Sequence, residues 1–222
     1  TLRGSVDEVR VWSVARTSEQ IGAGMTQRLT GKEDGLTALW NFDDVQNPGR
    51  DATGKGHDGE LKSGALAAEE AVSFAAPVAG VERSVLTLDG ASFIALPREA
   101  FAGLTESTVE AWVRWDHFDT WQRFFSIGSR GTDAYLGCRK SPGLEFAVRD
   151  AEGDYRPLVG EGLLQPDRWF HVAGVSGPQG ARLYVNGIEV AANADLKNSL
   201  GSIPDGPALL GAWSSPASGF AG

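Results

Sequence analysis

The stretch from Trp115 to Arg123 combines aromatic rings with side chains that form hydrogen bonds. Aromatic faces stack on sugar rings, and charged or polar neighbours bind the hydroxyl groups of a sugar. Strand ends and the loops beside them would expose such residues at the rim of a sheet. We therefore predict a ligand site formed by Trp115, His117, Trp121, Arg123 and Tyr155. For Trp121 a place in the core fits equally well, because tryptophan is on average a highly buried residue.

Asp7 is the second residue that could do chemistry, and it lies in a segment that alternates like a half-buried strand, GSVDEVRVW. The alternation places Asp7 on the same face as Val9 and Val11, with Val6 and Glu8 on the opposite face. Burying a carboxylate without a partner is expensive. We therefore expect Asp7 at the end of the strand, where it is solvated, hydrogen-bonded or bound to a cation.

A second acidic group, Asp51 and Asp58, lies in the glycine-rich segment DATGKGHDGE. Such carboxylates either add cation ligands or accept hydrogen bonds from the backbone of their own turn, as Asx turns do. The short spacing and the glycines favour the turn interpretation.

Catalytic patterns are weak in this chain. The nearest acidic pair, Glu145 and Asp150, has the wrong spacing for two carboxylates that face one cleft. His57, His117 and His171 do not form an HExxH pattern, and no serine lies in GxSxG. We expect His171 to be a sheet residue with a hydrogen-bond partner for its ring, and we predict that the chain is not an enzyme.

Composition limits the remaining classes of function. The net charge of −9 argues against a phosphate-binding surface, so nucleic acid is not expected as a partner. No apolar run is long enough to span a membrane. Cys138 is the single cysteine, which excludes an internal disulfide and predicts a small buried hydrophobic residue.

Short strands dominate the chain from Leu36 onward, roughly a dozen of them separated by turn residues. Asn186-Gly187 predicts a type I′ hairpin over residues 181–192. Thr17, with a glutamine three positions later, predicts the start of a short helix in residues 13–35. The segment 65–80 is predicted to be a surface loop. The predicted fold class is all-β.

Five motifs in this order resemble the concanavalin A-like superfamily, in the laminin G-like (LamG, pentraxin-like) tandem-repeat form. The motifs are LTALWNFDD with DATGKGHDGEL, VLTLDGASFIALP, STVEAWVRW with FFSIG, RWFHVAGVSGPQGARLYVNGIEV, and the leading GSVDEVRVW. The resemblance implies a jelly-roll β-sandwich of two antiparallel sheets, with one short linker helix, in which the first and last strands are neighbours.

The order of the motifs departs from the family at one point, because GSVDEVRVW resembles the closing strand yet comes first. Leu2-Arg3-Gly4 and Phe220-Ala221-Gly222 share an apolar-x-Gly pattern, which favours one period of a tandem array. We expect residues 1–16 to be a closing strand, 17–35 a linker helix and turn, and 36–222 a sandwich that lacks its own closing strand. The leading strand could complete its own sandwich by permutation or that of a neighbouring copy.

The resemblance also implies a structural calcium ion. In laminarinase-type hydrolases, the aspartate of a similar closing strand binds calcium together with backbone carbonyls. The matching residues here are Asp7, Asp43 and Gly90, and calcium accepts such an oxygen set. The alternative is that Asp7 only accepts hydrogen bonds from neighbouring backbone amides.

These observations predict a non-catalytic recognition or adhesion module of a larger extracellular repeat protein, secreted or at the cell surface. Its partners would be a glycan or an extracellular protein and neighbouring repeats, without nucleic acid or membrane insertion. One alternative is a structural spacer whose copies exchange strands. A weaker alternative is a degenerate relative of the glycoside hydrolases.

Overall fold

The computed structural model describes residues 1–70, 83–139, 142–149, 155–204 and 206–213. Short strands alternate with tight turns, as the sequence predicts. One α-helix, α1 (Ser18–Gly24), and two 3₁₀ turns, Arg98–Phe101 and Leu200–Ser202, accompany them. The strands are β1 Arg3–Trp12, β2 Leu36–Trp40, β3 Glu60–Lys62, β4 Leu66–Glu70, β5 Arg83–Asp89, β6 Phe93–Leu96, β7 Ser107–Trp115, β8 Gln122–Ser129, β9 Thr132–Cys138, β10 Leu144–Val148, β11 Leu158–Gly160, β12 Trp169–Ser176, β13 Ala181–Val185, β14 Ile188–Asn193 and β15 Ala208–Leu210.

The strands form two antiparallel sheets that pack face to face. Sheet A has the order β14-β13-β12-β7-β1-β5-β4, with β2 beside β1, and sheet B has the order β11-β10-β9-β8-β15-β6-β3. Alternate residues of each strand point into the space between the sheets, where they form one core. Each large apolar side chain buried there stabilises the fold by roughly 2 kcal/mol. The predicted all-β sandwich is confirmed.

Strand β1 occupies the middle of sheet A in its own chain. It pairs with β7 along one side, and on the other side with β5 near its start and with β2 near its end. Of the two placements considered for the leading strand, the structure therefore has the permuted one. Within this chain the sandwich of residues 36–213 is completed by β1. Residues 220–222 lie outside the described residues.

A bulge in β1 changes the face on which its residues lie. Asp7 pairs with Trp112 and Arg10 with Glu110, so β1 has one residue more than β7 between these two pairs. Glu8 has a positive φ of 52° at this point. Because the bulge shifts the alternation, Val6 faces the core together with Val9 and Val11. The predicted placement of Val6 on the opposite face was wrong for this reason.

The predicted helix starts where the capping pattern indicates. Thr17 accepts a hydrogen bond from the backbone of Gln20, whose side chain in turn accepts one from the backbone of Thr17. The helix packs on the outer face of sheet A through Ile21, which contacts Ala173, Val175 and Tyr184. Residues 13–35 therefore connect β1 to β2 across the outside of the sandwich.

Two local predictions concern turns. The hairpin of β13 and β14 turns at Asn186 and Gly187, which both have positive φ, 50° and 77°, as a type I′ turn requires. This prediction is confirmed. The predicted loop 65–80 contains the edge strand β4, and its remaining residues 71–80 lie outside the described residues.

Candidate functional site

The outer face of sheet B carries a cluster of arginines, aromatic rings and carboxylates. On β9, Ala134, Leu136 and Cys138 point into the core, so the intervening residues point outward. Outward residues of β8 and β10 and of the adjoining loops surround them. We call this cluster the arginine–aromatic face, and it consists of Trp121, Arg123, Asp133, Tyr135, Arg139, Glu145, Arg149, Tyr155 and Trp213.

Gly137 lies near the centre of this face, opposite Arg123 of β8. A bulge between Arg123 and Phe125 brings the backbone of β8 close to β9. A Cβ atom on Gly137 would lie 2.3 Å from the carbonyl oxygen of Gln122, so a larger residue does not fit. The glycine therefore permits the close approach that positions Arg123.

Arg123 forms the base of the face. Its guanidinium lies 3.8 Å from the ring centroid of Tyr135 and 4.8 Å from that of Trp213. Its Nη1 donates a 2.9 Å hydrogen bond to Oδ2 of Asp133, and only 4% of the side chain is exposed. Burial lowers the pKa of Arg123, whereas the hydrogen bond to Asp133 acts in the opposite direction. The buried ion pair and the two rings hold the guanidinium in one orientation.

Asp133 binds a second arginine. Nε of Arg149 donates a 2.7 Å hydrogen bond to Oδ1 of Asp133, whose other oxygen binds Arg123. The Arg149 guanidinium also lies 5.0 Å from the ring centroid of Tyr155. One buried carboxylate thus joins two arginines.

Two tyrosines and one glutamate form the neighbouring polar group. The Tyr135 hydroxyl lies 3.0 Å from Oε2 of Glu145 and 2.8 Å from the Tyr155 hydroxyl, which is itself 3.3 Å from the same glutamate oxygen. Burial, the bond with Tyr155 and the charge of Glu145 raise the pKa of Tyr135. The Tyr135 hydroxyl therefore keeps its proton and acts as a donor.

The accessible part of the face is its rim. Trp121 and Tyr155 are half-buried, and Arg139 is exposed. The Arg139 guanidinium lies 4.5 Å from the centroid of the Trp121 ring, which meets Tyr135 edge-on at 6.5 Å. Trp121 has a φ of 62°, a value that bulky residues seldom adopt and that commonly marks functional sites.

The comparisons with known proteins agree with this architecture. A laminin G-type family model, described as the concanavalin A-like lectin/glucanases superfamily, matches residues 88–222, more than half of the chain. The chain belongs to this superfamily. No curated protein matches it.

A solved structure that resembles this superfamily member is domain 4 of AbnA, a GH43 extracellular arabinanase from Geobacillus stearothermophilus, in complex with arabinotriose. The two share 18% sequence identity and a TM-score of 0.59, over 80% of this chain and 84% of the other. The likeness confirms the jelly-roll fold that the sequence motifs imply.

Three of the five predicted ligand-binding residues lie close together in the structure. Trp121, Arg123 and Tyr155 all belong to the arginine–aromatic face. Trp115, in contrast, is fully buried in the core, where its ring lies 6.4 Å from that of Phe118. It cannot stack on a ligand, because as the last residue of β7 it points inward.

His117 lies on the loop between β7 and β8. Its Nε2 is 2.7 Å from Oδ2 of Asp119, and the side chain is 44% exposed. The contacts described for the arginine–aromatic face do not include it. His117 stays a predicted site residue near this face, without a geometric role in it.

The other residues of the face were not among the predicted ligand-binding residues. The available signal was the alternation along β9, in which Asp133, Tyr135, Gly137 and Arg139 occupy every second position. The neighbouring strand presents Glu145 to the same face. Because sequence order does not show which strands are adjacent, these residues could not be combined with Trp121 and Tyr155.

The three predicted calcium ligands lie on β1 and in the loops that follow β2 and β5. Asp89 pairs with Arg3 of β1, so Gly90 lies at the start of this strand, whereas Asp7 lies four residues further on, about 13 Å away. Asp43 binds Arg28, and the Gly90 carbonyl accepts a hydrogen bond from Thr1. The separation of Asp7 and Gly90 along the sheet does not favour one ion bound by both, and the calcium site stays a prediction. Across the described residues, histidine, cysteine and carboxylate side chains form no group of three that could hold a metal.

Asp7 itself lies inside β1 and is 1% exposed, so its predicted place at the end of the strand was wrong. Its Oδ1 accepts a 2.8 Å hydrogen bond from the backbone N–H of Glu8. The bulge makes this possible, because it turns the amide of the next residue toward the carboxylate. This contact matches the alternative in which Asp7 accepts bonds from neighbouring amides.

The turn interpretation of Asp51 and Asp58 is confirmed. Asp51 accepts hydrogen bonds from the backbone amides of Leu39, Thr53 and His57, and Asp58 accepts one from the amide of Asp51. Burial would raise the pKa of Asp51, but these bonds and the Thr53 hydroxyl outweigh it and lower the pKa. The glycine-rich segment is a structural turn.

His171 differs from its prediction. It is 1% exposed, and within the described part of the chain neither ring nitrogen has a hydrogen-bond partner. Burial, followed by the charges of Arg10 and Arg16, holds its pKa well below 6.5. The ring is therefore neutral. Its Nε2 lies 3.8 Å from Oε2 of Glu110, beyond hydrogen-bond distance.

Cys138 behaves as predicted. Its thiol is buried in the core, and burial raises its pKa to about 12. Among the described helices, none is long and apolar enough to cross a membrane.

Proposed function

We propose that the chain is a non-catalytic carbohydrate-binding module whose ligand lies on the arginine–aromatic face. One observation carries the proposal: the half-buried rings of Trp121 and Tyr155 lie on either side of a group of ordered polar side chains. Aromatic rings supply stacking surfaces, and ordered polar groups supply the hydrogen bonds that orient a sugar.

The base is preorganised for binding. Arg123, Tyr135 and Glu145 are each held by at least one other side chain of the face. Because these side chains are already ordered, a ligand would lose little affinity to their immobilisation.

The length of the face suits an oligosaccharide. Trp121 and Arg139 lie at one end of β9, whereas Arg149 and Asp133 lie at the other, about 20 Å apart along the strand. Several linked sugars would be needed to contact both ends. Domain 4 of AbnA, which has the same fold, was solved with a trisaccharide.

The two carboxylates of the face are poorly placed for glycoside hydrolysis, which needs one carboxylic acid and a second carboxylate flanking the bond. Asp133 is 1% exposed and binds two arginines. Glu145 accepts from two tyrosine hydroxyls. These contacts favour binding without catalysis. Asp150, the other acid considered above, lies outside the described residues.

We further propose that this module acts in a larger protein outside the cell, as the extracellular arabinanase domain does. A structural calcium ion is not part of the proposal. The spacer alternative receives no support from strand exchange, since β1 completes its own sheet.

The test is isothermal titration calorimetry with arabinotriose and a panel of longer neutral and acidic oligosaccharides. We expect one of these to bind and Trp121→Ala to weaken it by about tenfold or more, since a stacked ring contributes on the order of 1–2 kcal/mol. The matched control is Trp169→Ala, which removes a half-buried tryptophan from sheet A. Equal affinities of wild type and Trp121→Ala would contradict this site, and a complete lack of binding would contradict the function.

A further inference from the structure

We infer that the glycan carries carboxylate groups and that Arg139, stacked on Trp121, binds one uronic acid residue of it. This inference rests on the proposed function, because it specifies the ligand class of the same face. It adds a role for Arg139, which neither the sequence patterns nor the fold assigns.

The charges on the face single out Arg139. Arg123 and Arg149 both donate hydrogen bonds to the carboxylate of Asp133, and both are largely buried, which leaves them less accessible to a ligand than Arg139. Arg139 has no carboxylate within ion-pair distance among the residues that the structure describes, and its guanidinium contacts the Trp121 ring. The nearby loop acid Asp119 is paired with His117. Among the described residues of this face, Arg139 is therefore an arginine without a carboxylate partner.

The stacking geometry prepares Arg139 for a planar anion. The Arg139 guanidinium carbon lies 4.5 Å from the centroid of the Trp121 ring, and this contact restricts the guanidinium, whose N–H groups form one planar edge. That edge matches the two oxygens of a carboxylate, which arginine binds through two parallel hydrogen bonds. A sugar that stacks near Trp121 would place a ring carboxylate within reach of this edge.

The net charge of the chain makes a local cation necessary for such a ligand. At −9 the protein as a whole repels polyanions, so an acidic glycan needs specific arginines rather than a general positive surface. The carboxylate contact is exposed at the rim and should therefore weaken as salt screens it.

The experiment compares hexagalacturonate with its fully methyl-esterified form, two ligands that differ in charge but not in the sugar backbone. We expect wild-type protein to bind the acid about tenfold more tightly, the size of a charge-assisted hydrogen bond. Arg139→Ala should reduce the ratio of the two affinities from about tenfold to about one. Arg139→Lys should keep part of it, since lysine retains the charge but not the planar pair of donors.

Arg50→Ala is the matched control, because Arg50 is also an exposed arginine but lies on the loop after β2. Equal binding of acid and ester, with no effect of Arg139→Ala, would overturn the inference and leave carbohydrate binding intact. Absence of binding to every oligosaccharide, arabinotriose included, would overturn the proposed function instead. If poly-glutamate competed through Arg139 as well as hexagalacturonate does, the partner would be an acidic protein and the glycan inference would fail.

Discussion

The two outer faces of the sandwich carry similar types of residue, but another segment of the chain covers them only on sheet A. On sheet A, Arg10 binds Glu8 at 2.8 Å and lies 3.5 Å from Glu110, which also binds Arg16 at 2.7 Å. On sheet B, Arg123 and Arg149 bind Asp133. Both faces thus place arginines against carboxylates and aromatic rings on the outer surface of a sheet.

The difference lies in what covers them. On sheet A, the segment after β1 closes over the charges, and Arg10 donates hydrogen bonds to the backbone carbonyls of Gly24 and Gln27. The Trp112 indole donates to the carbonyl of Met25 in the same segment. On sheet B, Trp121, Arg139 and Tyr155 remain accessible at the rim. Similar chemistry therefore attaches the chain to itself on one face and is open to a ligand on the other.

Removing Arg10 is the strongest test of this comparison. Arg10→Ala would leave Glu8 and Glu110 buried with one cation fewer, and loss of one partner from a buried ion pair costs about 3–5 kcal/mol. We expect a loss of this size in the free energy of unfolding, measured by urea denaturation. Arg182→Ala, on the partly exposed edge of the same sheet, should cost less than about 1 kcal/mol. Equal effects would show that the cover over sheet A is not structural.

The second-largest effect should come from lowering the pH, which acts on the buried His171 of sheet A. Because the folded-state pKa of His171 lies well below 6.5, the unfolded chain binds a proton that the folded chain excludes, and stability falls as the pH drops below about 6.5. We expect His171 to contribute a loss of up to about 1.4 kcal/mol per pH unit in this range.

His171→Gln should flatten this part of the stability profile, whereas Trp121→Ala, which changes the rim of sheet B and no titratable group, should leave the slope unaltered. The measurement is the free energy of unfolding by urea between pH 7 and pH 5.5. The same slope in wild type and His171→Gln would refute the neutral, excluded state of this ring.

The smallest expected effect concerns the backbone strain at Trp121. Trp121→Ala and Trp121→Gly both remove the indole, but only glycine adopts a φ of 62° without a steric penalty. We expect the glycine variant to be more stable than the alanine variant by about 1 kcal/mol in thermal unfolding. Both variants should bind the glycan about tenfold or more weakly than the wild type does. An alanine variant as stable as the glycine variant would mean that the site holds no such strain.

Much of the architecture could be read from local patterns. Capping residues predicted α1, Asn186-Gly187 predicted a hairpin, and the order of the motifs indicated a concanavalin A-like sandwich. Short-range rules suffice for the helix start and the hairpin, because turn and cap geometry depends on residues only a few positions apart, whereas the sandwich was implied by the resemblance of the motifs to the superfamily. The same rules failed at Asp7, where one extra residue in β1 shifted the alternation.

The candidate site was only partly predictable. Trp121, Arg123 and Tyr155 were predicted from their residue types, but so was Trp115, which is buried in the core. Whether an aromatic residue is exposed depends on the face of the sheet on which its side chain lies. The alternation of residue types no longer predicts that face after a bulge or past the end of a strand.

By itself, the sequence determined the class of fold, the places of the turns and the absence of a disulfide, since each depends on composition or on neighbouring residues. Only the tertiary structure decided that β1 closes its own sheet and that Asp133 joins Arg123 to Arg149. It alone placed Arg139 over Trp121, with no carboxylate beside it among the described residues. These features depend on pairings between strands that are distant along the chain, because side chains meet only after the sheet has placed their strands together.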